Sequence, residues 1–574
     1  MKRIINLVKQ YAGLEIFGLF LTVLYTLAVF GSPIVSKYLI DEVIPTSSIN
    51  KLYFGLGVFF LVCVSQPLVG YFKDIVFLNI TEGITLNVRD KLFSKAIGAP
   101  MKFFDNTNKG EIVSRILNDG RAASQFITNF FVIFVKNIVL IIMITVGMLY
   151  LSVKLTILVG ILFLLFFLVN LCVSKKFNKL SMETQKNYDA MCTNISQMAE
   201  SIVTIKSFSA EEDIQKKYQE VLKKCYKDNK RIMSLNILLN NMANVLVVLS
   251  LSVIYGLGAL SVMNKEMSLG TVIAMGLYFQ LLVQPVYELL NNNIELHKTI
   301  PIFDRIYEYF TMENEDIKKG SSSKLQGEIS IKDLSFTYKE NEKEVLKDVN
   351  MKLPSKGFIA FVGHSGAGKS TIVKLLLKLY NPTKGNICIG KKNLDDIEVK
   401  VLRDNISFVS QEIDLFNTSI MENIKCGNKT AMEEDVVNIC KRLKLHDKIM
   451  ALPEGYNSII TERVNLSGGE KQRIAIARAL IKKPSIFIMD EPTAALDPEN
   501  EAIIRDTVEE ISKEYMVIVI AHKISTIMNA DNIFVFENGK VVENGKHEML
   551  LKNKGIYSDF VLNSEKTTSD SKSA

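Results

Sequence analysis

Hydrophobic positions are distributed very unevenly along this chain. Before Pro301 they gather into six long, mostly apolar runs: Leu14 to Leu39, Leu52 to Leu78, Phe126 to Tyr150, Leu155 to Cys172, Ile237 to Val262 and Leu269 to about Leu290. Crossing a bilayer as a helix takes about 20 such residues, so each run predicts a membrane span. The third and fourth are separated only around Ser152–Lys154, which predicts a tight turn. After Pro301 the pattern changes. Glu328–Tyr338 alternates apolar and polar positions as a strand does, and short apolar strands then alternate with helical stretches.

The connections alternate in size as well. Those after the first, third and fifth runs are short, whereas those after the second and fourth are long, charged and helical in period. Arg89, Lys91, Lys95, Lys102, Lys109, Arg115 and Arg121 lie in the first long connection, and a Lys-rich stretch from Lys175 to Arg231 forms the second. Excess Lys and Arg mark the cytoplasmic side, which puts both termini and both long connections inside. The helices are therefore expected to continue past the membrane before turning back. The expected domains are 1–310 for the membrane part, 311–326 for a linker with the polar run Lys318–Lys324, 327–562 for a soluble α/β domain, and 563–574 for a disordered Ser/Thr/Lys-rich tail. The fold class is multidomain: an all-α six-helix transmembrane domain followed by an α/β P-loop NTPase domain.

Composition agrees with a chain of unlike halves. Its 48% apolar residues stand beside 22% charged ones in 574 residues. The net charge of +7 suits an anionic membrane surface, and no basic patch with interleaved aromatics points to nucleic acid. Seven cysteines without CxxC spacing build neither a disulfide framework nor a zinc site. The basic start, Lys2, Arg3 and Lys9, precedes an apolar run too long for the core of a cleavable signal.

The sharpest chemistry is Gly363–Thr371, GHSGAGKST, between an apolar strand (Phe358–Val362) and a helical stretch. This is the phosphate loop GxxxxGK[ST] in its required context. Backbone N–H groups of Gly363, Ser365, Gly366 and Gly368 cradle phosphate there. Lys369 is expected to reach the β- and γ-phosphates, Ser370 to hold Mg²⁺, and Thr371 to complete the ATP site. Downstream, Ile486–Glu491 is a buried strand that ends in two carboxylates. Asp490 is assigned to Mg²⁺ and Glu491 to the attacking water as general base.

Between these motifs stands Leu466–Gln472, LSGGEKQ. With it the chain resembles the ATP-binding cassette (ABC) family, in particular bacterial multidrug, lipid and peptide exporters, over nearly its whole length. The resemblance implies further roles. Tyr338 stacks on adenine. Gln411 belongs to the Q-loop and to the Mg²⁺ and catalytic set. Asp497 closes the D-loop, and His522 senses the γ-phosphate. It also implies that Ser467, Gly468 and Gly469 bind the nucleotide of an opposite cassette, so the working unit is a dimer. Phe104–Gly110 and Phe208–Asp213 match the family's coupling helices. Two departures stand out: Glu470 where Gln is usual, and Thr461–Val464 in place of a Gly-Glu-Arg-Gly stretch.

Polar groups in the membrane runs are costly and so informative. They are Gln66, Asp74, Lys136, Asn137, Asn170, Asn240, Asn241, Asn244, Gln280, Gln284 and Glu288. Gln280, Gln284 and Glu288 recur every four residues, share a helix face, and are expected to line a substrate cavity. The expected activity is ATP-driven export of an amphipathic peptide, lipid or drug across a bacterial plasma membrane, with ATP and Mg²⁺ as cofactors and a second copy of the chain as partner. Import through an exporter-like fold and a heterodimer subunit remain the alternatives.

Overall fold

The computed structural model describes residues 9–107, 109–315, 325, 327–339, 343–460, 466–493, 496–521 and 523–562. The expectations for Thr461–Val464, His522, Lys318–Lys324 and the tail 563–574 lie outside them. The chain forms two compact units. One comprises Met1–Gly98 and Thr107–Met312, the other Ala99–Asn106 and Glu313–Ala574.

The first unit is helical. In chain order the helices used below are α1 (Ala12–Tyr38), α2 (Ile49–Ile97), α3 (Met101–Asn106), α4 (Gly120–Leu151), α5 (Val153–Glu200), α6 (Ile202–Ser207), α7 (Glu211–Met263) and α8 (Leu269–Thr311). Of these, α3 groups with the second unit. Every predicted span falls on a long helix, and all but the first of these helices run beyond the apolar stretch. The helix α2, for example, continues from Leu78 to Ile97, and α7 begins at Glu211, well before Ile237. Among the described residues, five helices carry an apolar stretch of membrane-crossing length, and a shorter one at Val153–Leu165 opens α5. Within the unit α1 packs on α2, α4 on α8, and α5 on α7. A buried cluster including Val29, Ile144, Met148, Ile254, Tyr278 and Phe279 joins α1, α4, α7 and α8. Many large apolar side chains elsewhere, such as Phe60, Leu61 and Val248, are exposed, as a lipid-facing surface requires.

The turn between α4 and α5 is tighter than the predicted Ser152–Lys154. Ser152 alone breaks the helix, and its hydroxyl caps α5 by accepting from the Leu155 N–H at 3.4 Å. The segments expected to couple lie in the two long connections. Two short helices lie near them: Phe104–Gly110 overlaps the end of Met101–Asn106, and Phe208–Asp213 begins just after Ile202–Ser207. At the second, Ser209 sits at φ 51° and ends the helix, and the acidic run Glu211–Asp213 starts the next one.

In the second unit an antiparallel sheet of β1 (Ile329–Phe336), β2 (Leu346–Leu353), β4 (Lys384–Ile389) and β5 (Lys392–Asn393) runs in the order β2-β1-β4-β5. The main sheet has the order β10-β9-β3-β8-β7-β6, from β3 (Gly357–Gly363), β6 (Ile406–Val409), β7 (Ile486–Asp490), β8 (Met516–Ile520), β9 (Asn532–Glu537) and β10 (Lys540–Gly545). Its strands are parallel except for β10, which pairs antiparallel with β9. The β3, β7 and β8 interiors are continuous apolar runs because helices cover both faces.

Candidate functional site: a nucleotide site at the carboxyl edge of the sheet

In an open parallel sheet the carboxyl ends of the strands form the binding edge. Phe361, Ile520 and Asp490 share one row across β3, β8 and β7. The phosphate loop leaves β3 just beyond that row, and Glu491 leaves β7 there. The Q-loop follows β6, which pairs with β7. Three sequence motifs thus converge on one edge.

The loop needs its glycines. Gly363, Gly366 and Gly368 have φ of 149°, 81° and 101°. A Cβ at Gly363 would lie 2.2 Å from the Phe536 carbonyl oxygen, whereas one at Gly366 would meet nothing within 4 Å. That open side, at the start of α9 (Lys369–Leu376), is the concavity a phosphate chain requires. Lys369 is buried, and its ammonium donates to the carbonyls of Gly363 (2.7 Å) and His364 (3.0 Å). Burial holds it below the usual lysine value, opposed by the charges of Glu491 and Asp490. Ser370 is exposed beside it and Thr371 is buried, with its hydroxyl 3.2 Å from that of Tyr338.

Gln411 donates its side-chain amide to the Glu491 carboxylate at 2.8 Å. Glu491 has φ 48°, a left-handed conformation rare outside glycine, and its N–H donates to the Ile520 carbonyl at 2.8 Å. Ser370, Gln411 and Asp490 supply a hydroxyl, an amide oxygen and a carboxylate. Such hard oxygen donors suit Mg²⁺, and no cluster of three or more His, Cys, Asp or Glu built for another metal occurs among the described residues.

Tyr338 sits in an aromatic group that the motifs did not announce. Its ring meets Phe336 at 4.9 Å and Tyr380 at 5.2 Å, both edge-on, with the Lys374 ammonium 5.4 Å from its centre. Tyr380 was missed in the sequence. Its one signal there is an aromatic placed just after the phosphate-loop helix.

The signature residues form a second group. Ser467 caps α10 (Gly468–Leu480). Its hydroxyl accepts from the Glu470 N–H at 3.2 Å, and Glu470 reaches back to accept from the Ser467 N–H at 2.8 Å. This reciprocal box accounts for the unusual Glu470, since Glu serves it as well as Gln does. Gly469 is pressed against Asn500, where a Cβ would come within 2.6 Å. Asp497 caps α11 (Pro498–Ser512), accepting from the Asn500 side chain at 2.6 Å, and hydrogen bonds from Asn500 hold its carboxyl below the usual range.

In the membrane unit the Gln280/Gln284/Glu288 face divides. Gln280 and Gln284 are exposed, whereas Glu288 is tied down. It accepts from Lys136 (2.9 Å) and Asn137 (3.0 Å) on one oxygen and from Gln284 (3.1 Å) on the other. Other predicted polar groups also find partners. Gln66 donates to the Ala28 carbonyl, Asp74 pairs with Lys73, Asn240 accepts from Tyr287, and Asn241 donates to the Ile237 carbonyl. The Asn170 side chain lies outside the described residues.

Comparison with known proteins agrees with this layout. Residues 16–286 match the family model described as ABC transporter transmembrane region, and residues 346–494 match the one described as ABC transporter. The multidrug export ATP-binding/permease protein YgaD of Bacillus subtilis (strain 168) is 31% identical over 97% of this chain and 98% of its own. A protein of the same description from Staphylococcus aureus (strain NCTC 8325 / PS 47) is also 31% identical over the same shares. Among solved structures, a bacterial Atm1-family ABC exporter with ATP bound shares the fold with a TM-score of 0.82 at 23% identity, over 96% of this chain and 98% of that one.

Proposed function

This chain belongs to the ABC transporter family, and we propose that it is one half of a dimeric, ATP-hydrolysing exporter that moves an amphipathic drug, lipid or peptide out of the cytoplasm by alternating access. The observation that carries the proposal is the convergence of Lys369, Gln411, Asp490 and Glu491 on one sheet edge, in a chain whose other unit has membrane-crossing helices. Full-length similarity to proteins named as multidrug exporters supports export over import.

In this reading the phosphate loop and Lys369 hold the phosphates of ATP, and Tyr338 stacks on the base. Ser370, Gln411 and Asp490 hold Mg²⁺, which would neutralise charge on the phosphates. Glu491 takes a proton from the attacking water, and its bond to Gln411 aims the carboxylate. His522 is assigned to the γ-phosphate by its motif alone. Ser467, Gly468, Gly469 and Asp497 serve the nucleotide of a second copy, so ATP is sandwiched between two chains. ATP then favours the joined state and hydrolysis releases it, each state opening the helices to a different side. The Lys and Arg excess supports cytoplasmic termini. Gln280 and Gln284, exposed on α8, are the proposed substrate contacts.

The test is transport by the purified chain in sealed vesicles. A fluorescent amphipathic dye and ATP supplied outside should give ATP-dependent dye accumulation within vesicles whose cassettes face outward. Loss of preloaded dye under the same conditions would instead identify an importer.

A further inference from the structure

We propose that Tyr380 is a positioning residue that ties the base-binding wall of the nucleotide site to the short helix α3. The proposal rests on the reading of Tyr338 as the aromatic that stacks on adenine, and it adds a residue that no motif names.

Tyr380 stands a few residues beyond α9, at the far end of the helix that the phosphate loop opens. Its half-buried ring meets Tyr338 at 5.2 Å and 85°, and Phe336 at 5.7 Å and 66°. The Lys374 ammonium lies 5.4 Å from the Tyr338 centroid and 5.9 Å from that of Tyr380, so one cation serves both rings. Edge-on aromatic pairs with a shared cation fix ring direction as well as position. The orientation of Tyr338 and that of Tyr380 are therefore set together.

The other end of Tyr380 leaves this stack. Its hydroxyl donates to the carboxylate of Asp105 on α3. That helix lies more than 200 residues earlier in the chain, yet Ala99–Asn106 is part of the compact unit that contains the cassette. Only Gly98 to Pro100 separates it from the 49-residue helix α2. A base stacked on Tyr338 stiffens the aromatic group, and the Tyr380 hydroxyl carries that restraint to Asp105. By linkage, a well-seated α3 must in turn favour base binding.

The experiment uses the full chain in nanodiscs of phosphatidylethanolamine and phosphatidylglycerol. Backbone amide exchange over Met101–Asn106 is followed with and without ATP, Mg²⁺ and orthovanadate, and KM and kcat for ATP are measured alongside. In the parent, nucleotide should slow exchange there by about fivefold. Tyr380→Phe keeps the ring and removes the hydroxyl. It should lose that slowing while kcat stays within about twofold and KM rises by no more than about fivefold, the reciprocal of the lost coupling. Asp105→Ala should behave alike, and Asp105→Asn, which keeps an acceptor, should restore the slowing. Persistent slowing in Tyr380→Phe, or none in the parent, overturns the proposal. So does a rise in KM for Tyr380→Phe as large as that for Tyr338→Ala, because Tyr380 would then only shape the pocket. An unchanged KM in Tyr338→Ala overturns the stacking reading instead, and the exchange data still decide the tie between Tyr380 and Asp105.

Discussion

Gln411 holds the carboxylate of Glu491 at 2.8 Å, and the residue it holds has the strained backbone of a left-handed turn, φ 48°. Strain of about 1–3 kcal/mol at one carboxylate persists only where neighbours over-determine it, and such residues cluster at reacting centres. The Ile520 carbonyl and Gln411 supply that restraint.

Glu491→Gln should therefore keep ATP binding and lose turnover by at least about 100-fold. Fluorescent-nucleotide titration beside a phosphate-release assay checks both halves. Normal hydrolysis in this variant would remove Glu491 from its role. Gln411→Ala should lower kcat more than it raises KM, since its contact is to the proposed base.

Ser467→Ala should cost about 1 kcal/mol of cassette stability, the usual value of an N-cap. Glu470→Gln keeps the reciprocal box and should leave the melting temperature unchanged. Scanning fluorimetry distinguishes the two. Equal losses in both would mean that charge, not the hydrogen bond, matters at Glu470.

Sequence and structure part company in an orderly way. The nucleotide edge was legible because its chemistry is local: Gly363, Lys369 and Ser370 lie within eight consecutive residues and carry their meaning in their spacing. The lengthened helices were legible too, since helical period continues past the apolar runs. Pairings between helices were not. Lys136 and Glu288 are 152 residues apart, and nothing in either run says which rotation brings them together. Tyr380 was hidden for the same reason, as its partners arrive from β1 and from α3. The end of α6 is set by a local stop, the left-handed Ser209, which no motif marks.

Lys136 and Glu288 should depend on each other. Removing one leaves a charge without its partner in a largely enclosed site, with side chains only 19% and 26% exposed. Lys136→Met or Glu288→Met alone should cost about 2 kcal/mol or more, and the double variant should recover most of it. Detergent melting curves of the three variants give the answer. Additive losses would show that the pair does not interact.

Asp41 and Gly270 form a second interhelical tie. The Asp41 carboxylate accepts from the Ser268 hydroxyl at 2.5 Å and from the Gly270 N–H at 2.8 Å, at the start of α8. A Cβ at Gly270 would lie 2.6 Å from that carboxylate. Gly270→Ala should push Asp41 away and destabilise by about 1–2 kcal/mol, much as Asp41→Ala does. Because both remove the same contact, the double variant should cost less than the sum. Thermal unfolding of the set decides it.

The membership of Ala99–Asn106 in the cassette unit bears on how the protein is made. At about 5–20 residues per second, a ribosome finishes this segment at least about 10 seconds before it reaches Glu313. The segment must wait for the surface that will receive it, and a contact that spans more than 200 residues closes late. A cassette expressed from residue 313 onward would fold with one of its own pieces missing and Tyr380 uncovered.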